Sequence, residues 1–381
     1  MAITFISQPS ALVLAGNPVI VKAHSSVTGK TFMRIVLAVT VNVTRTSGLM
    51  ATYQDTYTYP LDEDGTATID IHDSLQSVIR KEWMPTLERG GAGVLNVKQT
   101  VTKVEFSYTA TEKYLDGIDE HTGDSVASEA HRAIAGAQTD MERLLATSED
   151  TLATLAPGQI LSRKPESERI PADSTLLVPC VPISGSQIQE WKVTQDGNTQ
   201  AFNTGPTEYY LPASIEVNPT ALGLTEGAFE VYACNDRAKS KYLVPASEDY
   251  REFRFVNSFG LMESVVAECK EALSYSLDSE VYETPMDVAF NGHKQVASLT
   301  GKPYGTLAMS SGFVNREWAD WWVNEFLTAE KVYLREGNVW LPVAVVPDDT
   351  VKLYDRTKTD LVEVDFDIRY SFEGSPSRVS L

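Results

Sequence analysis

The stretch NREWADWWVNEFLTAEKVYLREGNVWLPVAV, residues 315–345, followed by LVEVDFDIRYSF, residues 361–372, sets the architecture of this chain. Asn315 can accept a hydrogen bond from the unpaired N–H groups of a first helical turn, and Glu317 adds negative charge where the helix dipole favours it. Trp318, Trp322 and Phe326 then recur along one helix face with Trp321 beside them, so that face is aromatic and has to be covered. Two β-rich runs follow, Lys331–Glu336 and Val339–Val346, parted only by Gly337 and Asn338; residues tolerant of positive φ predict a two-residue hairpin. From Val362 the chain alternates. Val362, Val364, Phe366, Ile368, Tyr370 and Phe372 point one way, and Glu363, Asp365, Asp367, Arg369 and Ser371 the other. A slip of one residue would bury three carboxylates, which fixes the register.

These signals predict an α+β module over 257–381, in which the aromatic helix packs on one side of a mostly antiparallel sheet. Trp318, Trp321, Trp322, Trp340, Phe366 and Tyr370 are its candidates for core or subunit interface. The module holds no catalytic constellation.

At 381 residues the chain exceeds one ordinary core, and two or three domains are expected. A hydrophobic content of 43% is that of a folded protein. The formal net charge of −20 argues against specific nucleic-acid binding or an anionic membrane as the main partner. No run reaches the length needed to insert across a bilayer, and Met1–Leu14 lacks the basic start of a secretory signal. Cys180, Cys234 and Cys269 are odd in number and far apart, which disfavours a disulfide framework or zinc site, although Cys180 and Cys234 could face each other across a sandwich. Synthesis in a reducing cytoplasm is expected.

Residues 1–115 read as a β-sandwich. Its runs are Ile3–Ile6, Pro18–Ala23, Phe32–Val43, Thr52–Tyr59 and Val101–Thr109, with a turn at Asp62–Gly65 and a short helix near Ser74–Met84. Residues 116–159 read as a helical insertion: a loop over Asp116–Asp124, then a helix over Ser125–Leu155 closed by Pro157 and Gly158. That helix could form an interaction arm or pack on the neighbouring sandwich. Residues 160–256 predict a second sandwich, with strands near Leu176–Val181, Gln189–Thr194, Ala228–Ala233 and Phe253–Val256 and a hairpin tip at Gly197 and Asn198. Prolines at 179, 182, 206, 212 and 219 confine it to short and edge strands. Beyond it, Ala272–Val281 and Met286–Phe290 are candidate strands, and Gly292, Gly301, Pro303 and Gly305 break the chain before the tryptophan helix. The fold class expected is mainly β: two immunoglobulin-like sandwiches, a helical insertion and a helix-on-sheet module.

Fragments of catalytic motifs fail on context. Gly29, Lys30 and Thr31 spell the end of a phosphate-binding loop, but the glycine required five residues earlier is His24, and a hairpin turn explains them. Gly123, Asp124 and Ser125 are similar to an esterase nucleophile block; the histidine farther on, His293, has no Asp three residues before it, and a helix cap is the better account. His24, His72, His121, His131 and His293 show no metal-ligand spacing, and no cofactor is expected. Tyr209 and Tyr210 could stack on a sugar ring, though core packing is the commoner use of such residues.

Six segments carry a resemblance in shared order: QPSALVLAGNPVIVKA (8–23), GTATIDIHDSLQSVI (65–79), GQILSRKP (158–165), FRFVNSFGLMESV (253–265), FLTAEKVYLREGNVWLPVAV (326–345) and DLVEVDFDIRYSFE (360–373). Together they resemble tail-associated structural proteins of phages and prophages of Bacteroidetes bacteria. The resemblance implies a non-enzymatic virion protein of the tail or its distal end, built of β-sandwich modules, assembled as a homo-oligomeric ring in the host cytoplasm and touching other tail proteins. Glu363, Asp365 and Asp367 would then face a lumen, where negative charge repels passing DNA. The competing expectation is a carbohydrate-binding, adhesin-like protein that recognises a host-surface glycan. A hydrolase is disfavoured by the missing histidine partners.

Overall fold

The computed structural model describes residues 3–27, 29–44, 49–82, 95–99, 103–138, 160–180, 190–203, 213–233, 236–238, 240–247, 249–270, 274–276, 279–285, 294–300, 304–347 and 361–370. The fold is mainly β, in several sheets, with a small helical region near the C-terminus. The chain divides into two compact units, neither of them continuous in sequence. Unit 1 is Met1–Glu168, Thr175–Leu243 and Val256–Glu263, and unit 2 is Arg169–Ser174, Val244–Phe255 and Ser264–Leu381.

Unit 1 is organised by strict alternation in its longest strand, Thr31–Thr44, where Ile35, Leu37, Val39, Val41 and Val43 are all buried. It is central in a sheet ordered Leu12–Leu14, His131–Ile134, Lys103–Asp116, Thr31–Thr44, Met50–Pro60, with Asp119–Ala127 also paired to Lys103–Asp116. A three-stranded antiparallel sheet, Ile3–Ser7, Ile20–Ser25 and Thr66–Asp70, contributes Val21, Ala23, Ala67 and Ile69 to the same core. The predicted short helix is His72–Glu82, and it adds Leu75, Val78 and Ile79 to that core. The turn before Thr66–Asp70 is closed by the Asp62 carboxylate, which accepts from the Asp64 and Thr66 N–H groups at 3.1 and 2.7 Å. Two further sheets follow: Leu176–Cys180, Ala213–Val217 and Leu95–Gln99; and Lys241–Val244, Gly227–Ala233, Glu190–Gln195 and Asn198–Asn203, with Asp236–Arg237 beside Gly227–Ala233. Pro179 lies in an end strand of the first of these.

Several expectations need correction. Asp116–Asp124 is not a loop, and no helix begins at Ser125. Asp119–Ala127 is a strand that returns along Lys103–Asp116 through the two-residue turn Gly117–Ile118, and His131–Ile134 is another strand. Charged residues are tolerated in this hairpin because it is exposed and its charges pair across strands: Lys30–Asp116 and Lys113–Glu120 at 2.7 Å, Arg34–Glu120 at 2.5 Å. His131–Ile134 pairs on both sides, parallel to Leu12–Leu14 and antiparallel to Lys103–Asp116, so tertiary pairing overrides its helix-like composition. The remainder of the expected helix, 139–155, lies outside the described residues. Gly123, Asp124 and Ser125 therefore sit within a strand instead of capping a helix. The Gly29 segment joins strands of two different sheets and is no hairpin. The later hairpin tip is shifted by one residue: Gln195 pairs with Asn198, and Asp196 and Gly197 take the positive φ of 50° and 77°.

Unit 2 contains a seven-stranded sheet ordered Met262–Cys269, Tyr250–Val256, Val332–Glu336, Val339–Pro347, Leu361–Tyr370, Tyr304–Asn315, Ser274–Ser276. The expected hairpin is present, closing at the Glu336–Val339 pair with Gly337 at φ 60°. The alternating C-terminal strand buries Val364, Phe366 and Ile368. Gly292, Gly301 and Pro303 lie outside the described residues; Gly305 was expected to break the chain, but the long strand Tyr304–Asn315 runs through it and leads directly into the helix. Its partner strand Leu361–Tyr370 holds it extended despite Gly305, and a register shift between Ser310 and Phe313 absorbs Gly312. The candidate Ala272–Val281 divides into Ser274–Ser276 and the start of Ser279–Pro285, which pairs with Lys294–Thr300; Met286–Phe290 lies outside the described residues.

Candidate interaction surfaces

The helix Arg316–Trp321 is capped by Asn315, whose side chain accepts from the Trp318 N–H at 3.0 Å, and it continues into a wider π turn, Trp322–Phe326. That path carries Trp318, Trp321, Trp322 and Phe326 to one side, where they pack edge to face at centroid distances of 5.0–5.5 Å. Phe366 lies against both Trp322 and Phe326, at 5.7 and 5.5 Å, and Phe253 against Phe326 at 5.5 Å. All are buried within unit 2. Trp340 is also buried but has a different neighbour, the guanidinium of the fully buried Arg254, 4.2 Å from its ring centre. Tyr370 is half-buried and donates its hydroxyl to Glu336 at 3.0 Å.

The acidic row of the last strand is not bare. Lys270 places its ammonium 2.8 Å from Glu363 and 2.7 Å from Asp365, and Ser310 donates to Glu363 at 2.8 Å. The hydrogen bond from Lys270 holds the Glu363 carboxyl below the usual carboxylate range. Asp367 is half-buried and stands opposite Val346 and Ala308 in the ladder.

A different surface is conspicuous in unit 1. Met50–Pro60 pairs with Thr31–Thr44 through eleven consecutive positions without a register shift, and its other side has no ladder partner among the described residues. The Thr56 N–H is satisfied by the adjacent Asp55 carboxylate at 2.8 Å, so it points to that open side. By alternation the N–H groups of Thr52, Gln54 and Thr58 do the same. Asp119–Ala127 is the second open strand, paired only with Lys103–Asp116 among the described residues. At this end of the sheet two apolar side chains stand in solvent: Ile118, 96% exposed at the hairpin turn, and Phe32, 77% exposed on a bulge with φ 51°.

Unit 1 also hides a group that periodicity does not reveal. Lys164, Glu168, Lys241 and Glu263 are all buried. The Lys164 ammonium lies 2.5 Å from one Glu168 oxygen and 3.9 Å from Glu263, and the Lys241 ammonium 2.7 Å from the other Glu168 oxygen. Ser162 and Asn257 donate to Glu263, the latter at 3.1 Å. Burial opposes ionisation of Glu168, but the two ammoniums outweigh it and hold its pKa below the usual range. Burial pushes Glu263 up and Lys241 down.

Ser125 bonds Thr111 at 2.9 Å, the Asp62 carboxylate is taken up by its own turn, and no metal-binding group occurs among the described residues. In unit 2 a cleft of about 260 Å³ has Arg335 in its wall, already bonded to Glu252 at 2.6 Å and to the Asp173 carbonyl at 3.1 Å. Cys180 is buried and Cys269 half-buried, while Cys234, Tyr209, Tyr210 and His293 lie outside the described residues. No helix among the described residues is long and apolar enough to cross a membrane. No protein-family model matches the chain, and no curated protein matches it.

Proposed function

We propose that this chain is a virion structural protein, a component of a phage tail or its distal end that acts by assembling into a homo-oligomeric ring and turns over no substrate. The observation that carries this reading is the pair of open strands in unit 1. Met50–Pro60 is long and rich in Thr and Tyr, and apart from its final Pro60 it lacks the lysines, prolines and bulges that usually keep an edge from pairing. Successive antiparallel pairings make it run opposite to Asp119–Ala127. If Asp119–Ala127 of a neighbouring copy lies beside Met50–Pro60, the pair is again antiparallel. The contact is head to tail, the kind that closes into a ring when the rotation fits.

The same reading takes the β-rich parts of the chain as immunoglobulin-like sandwiches and places the protein in the virion, assembled in the host bacterial cytoplasm against other tail proteins. Asp367, with Glu363 and Asp365 tempered by Lys270, would face the lumen. The test is the mass of the full chain across a concentration range, with negative-stain images of the same samples. Closed rings in the native protein support the proposal. Thr58→Pro, which removes one outward N–H and leaves the ladder to Thr31–Thr44 intact, should give folded monomers. A native protein that stays monomeric at every concentration and binds host-surface glycans on an array would overturn it in favour of an adhesin-like role.

A further inference from the structure

The buried ions of unit 1 are arranged for a covalent step. The Lys241 ammonium sits 2.7 Å from Glu168 Oε2, and the Lys164 ammonium 2.5 Å from Glu168 Oε1. One carboxylate is therefore gripped by two cations, one on each oxygen. Glu168, Lys241 and Lys164 are each at least 96% buried, since their relative exposures are 4%, 3% and 2%. Asn257, which donates to Glu263, also donates to the carbonyl of Leu161, a member with Leu261 of an apolar cluster that includes Leu12, Leu14 and Ile134. Water, which would hydrate these ions and drive any condensation backwards, is excluded.

We propose that Lys241 and Glu168 become joined after folding by a side-chain amide, with Lys164 stabilising the negative oxygen of the tetrahedral intermediate. One proton first passes from the Lys241 ammonium to Oε2, giving a neutral amine beside a neutral carboxyl, and the Nζ lone pair then forms the C–N bond to Glu168 Cδ. A second proton passes from Nζ to Oε2, 2.7 Å away, and the C–Oε2 bond breaks to release one water. An ammonium and a carboxylate contain every atom of the amide and that water, so no oxidant, nucleotide or activated acyl group is required. Lys164 would keep Oε1 paired as its charge grows, the part that oxyanion donors play in acyl transfer. Glu263, held by Ser162 and Asn257, positions Lys164 from its other side.

Two physical terms favour the step. Folding has already fixed the two reacting groups in contact, which makes the reaction unimolecular. Burial also pushes the Lys241 pKa down, which raises the fraction of neutral, nucleophilic amine. Glu168 and Lys241 are far apart in sequence, so the product would close a long covalent loop, limiting the unfolded chain as a disulfide does. A chain made in a reducing compartment could acquire such a link where a disulfide could not.

The experiment is intact-mass measurement of the purified full chain, followed by peptide mapping. The expected result is a mass about 18 Da, one water, below that of the linear sequence, with a branched peptide that joins the Glu168 and Lys241 segments. Lys241→Arg keeps the charge but cannot form the link, and should show the full mass. Lys164→Met should slow the loss of water in a time course after refolding. Native protein at its full mass overturns the proposal. So does a water loss that maps to a succinimide at Asp64–Gly65, Asp116–Gly117 or Asp196–Gly197, the chain's exposed Asp–Gly turns.

Discussion

The aromatic core of unit 2 and the ionic cluster of unit 1 are both dry, yet they are held together by opposite physics. In the first, Trp318, Trp321, Trp322, Phe326 and Phe366 gain from leaving water, and each ring removed is a loss in proportion to its area. In the second, Lys164, Glu168, Lys241 and Glu263 lose hydration on burial and recover it only through one another. An apolar core tolerates substitution by degrees. A buried ion set works as a unit.

Substitutions separate the two kinds of core. Phe326→Ala, at the centre of the aromatic cluster, should cost about 3–5 kcal/mol in urea unfolding of unit 2. A loss of ring assembly with unchanged unfolding would instead make the cluster an interface. Lys164→Ala should cost about 3 kcal/mol, mainly from carboxylates left short of a cation, and the sign should reverse in part when Glu263→Gln is added. Additive losses in the double variant would show that the two side chains do not share one balance.

Smaller effects sharpen the picture. Asn315→Ala removes the acceptor for the Trp318 N–H and should cost about 1 kcal/mol, read from the same unfolding curves. Lys270→Ala should cost less than about 1 kcal/mol because its contacts are open to solvent and salt. Its pH signature is more telling. Glu363 has a depressed pKa in the folded chain, so its stabilisation is present above the ordinary value of 4.5 and disappears as pH falls through the folded value. Lys270→Ala should flatten this acid limb, and a limb of unchanged slope would assign the shift to Ser310 instead.

Much of unit 2 was legible because its signals are local. The cap at Asn315, the four-residue spacing of aromatics and the Gly337–Asn338 turn each act within a few residues, and all three are in the structure. Unit 1 shows where such signals stop. Strand pairing of His131–Ile134 with Leu12–Leu14 joins residues more than a hundred positions apart, and nothing in the local run of Ser, Ala and Glu announces it. Tyr304–Asn315 was missed for a related reason, since Gly305 reads as a breaker until a partner strand holds it extended. The ionic cluster was equally hidden. Lys164 and Glu168 look like ordinary surface charges, and only the approach of Lys241 and Glu263 from elsewhere in the chain buries them. The acidic alternation at Glu363, Asp365 and Asp367 was visible, whereas the neutralising Lys270 was not.

The interleaving of the two units along the chain bears on how the protein must be made. Unit 1 lacks its last segment until Glu263 has left the ribosome, and by then Arg169–Ser174 and Val244–Phe255, which belong to unit 2, have already emerged. Unit 2 cannot finish folding until much later, because Tyr250–Val256 lacks one of its two partner strands until Val332–Glu336 is translated. Nascent chains stalled shortly after residue 263 should therefore expose Phe253 and Phe255 to a folding chaperone, and release from it should coincide with synthesis of the final sheet.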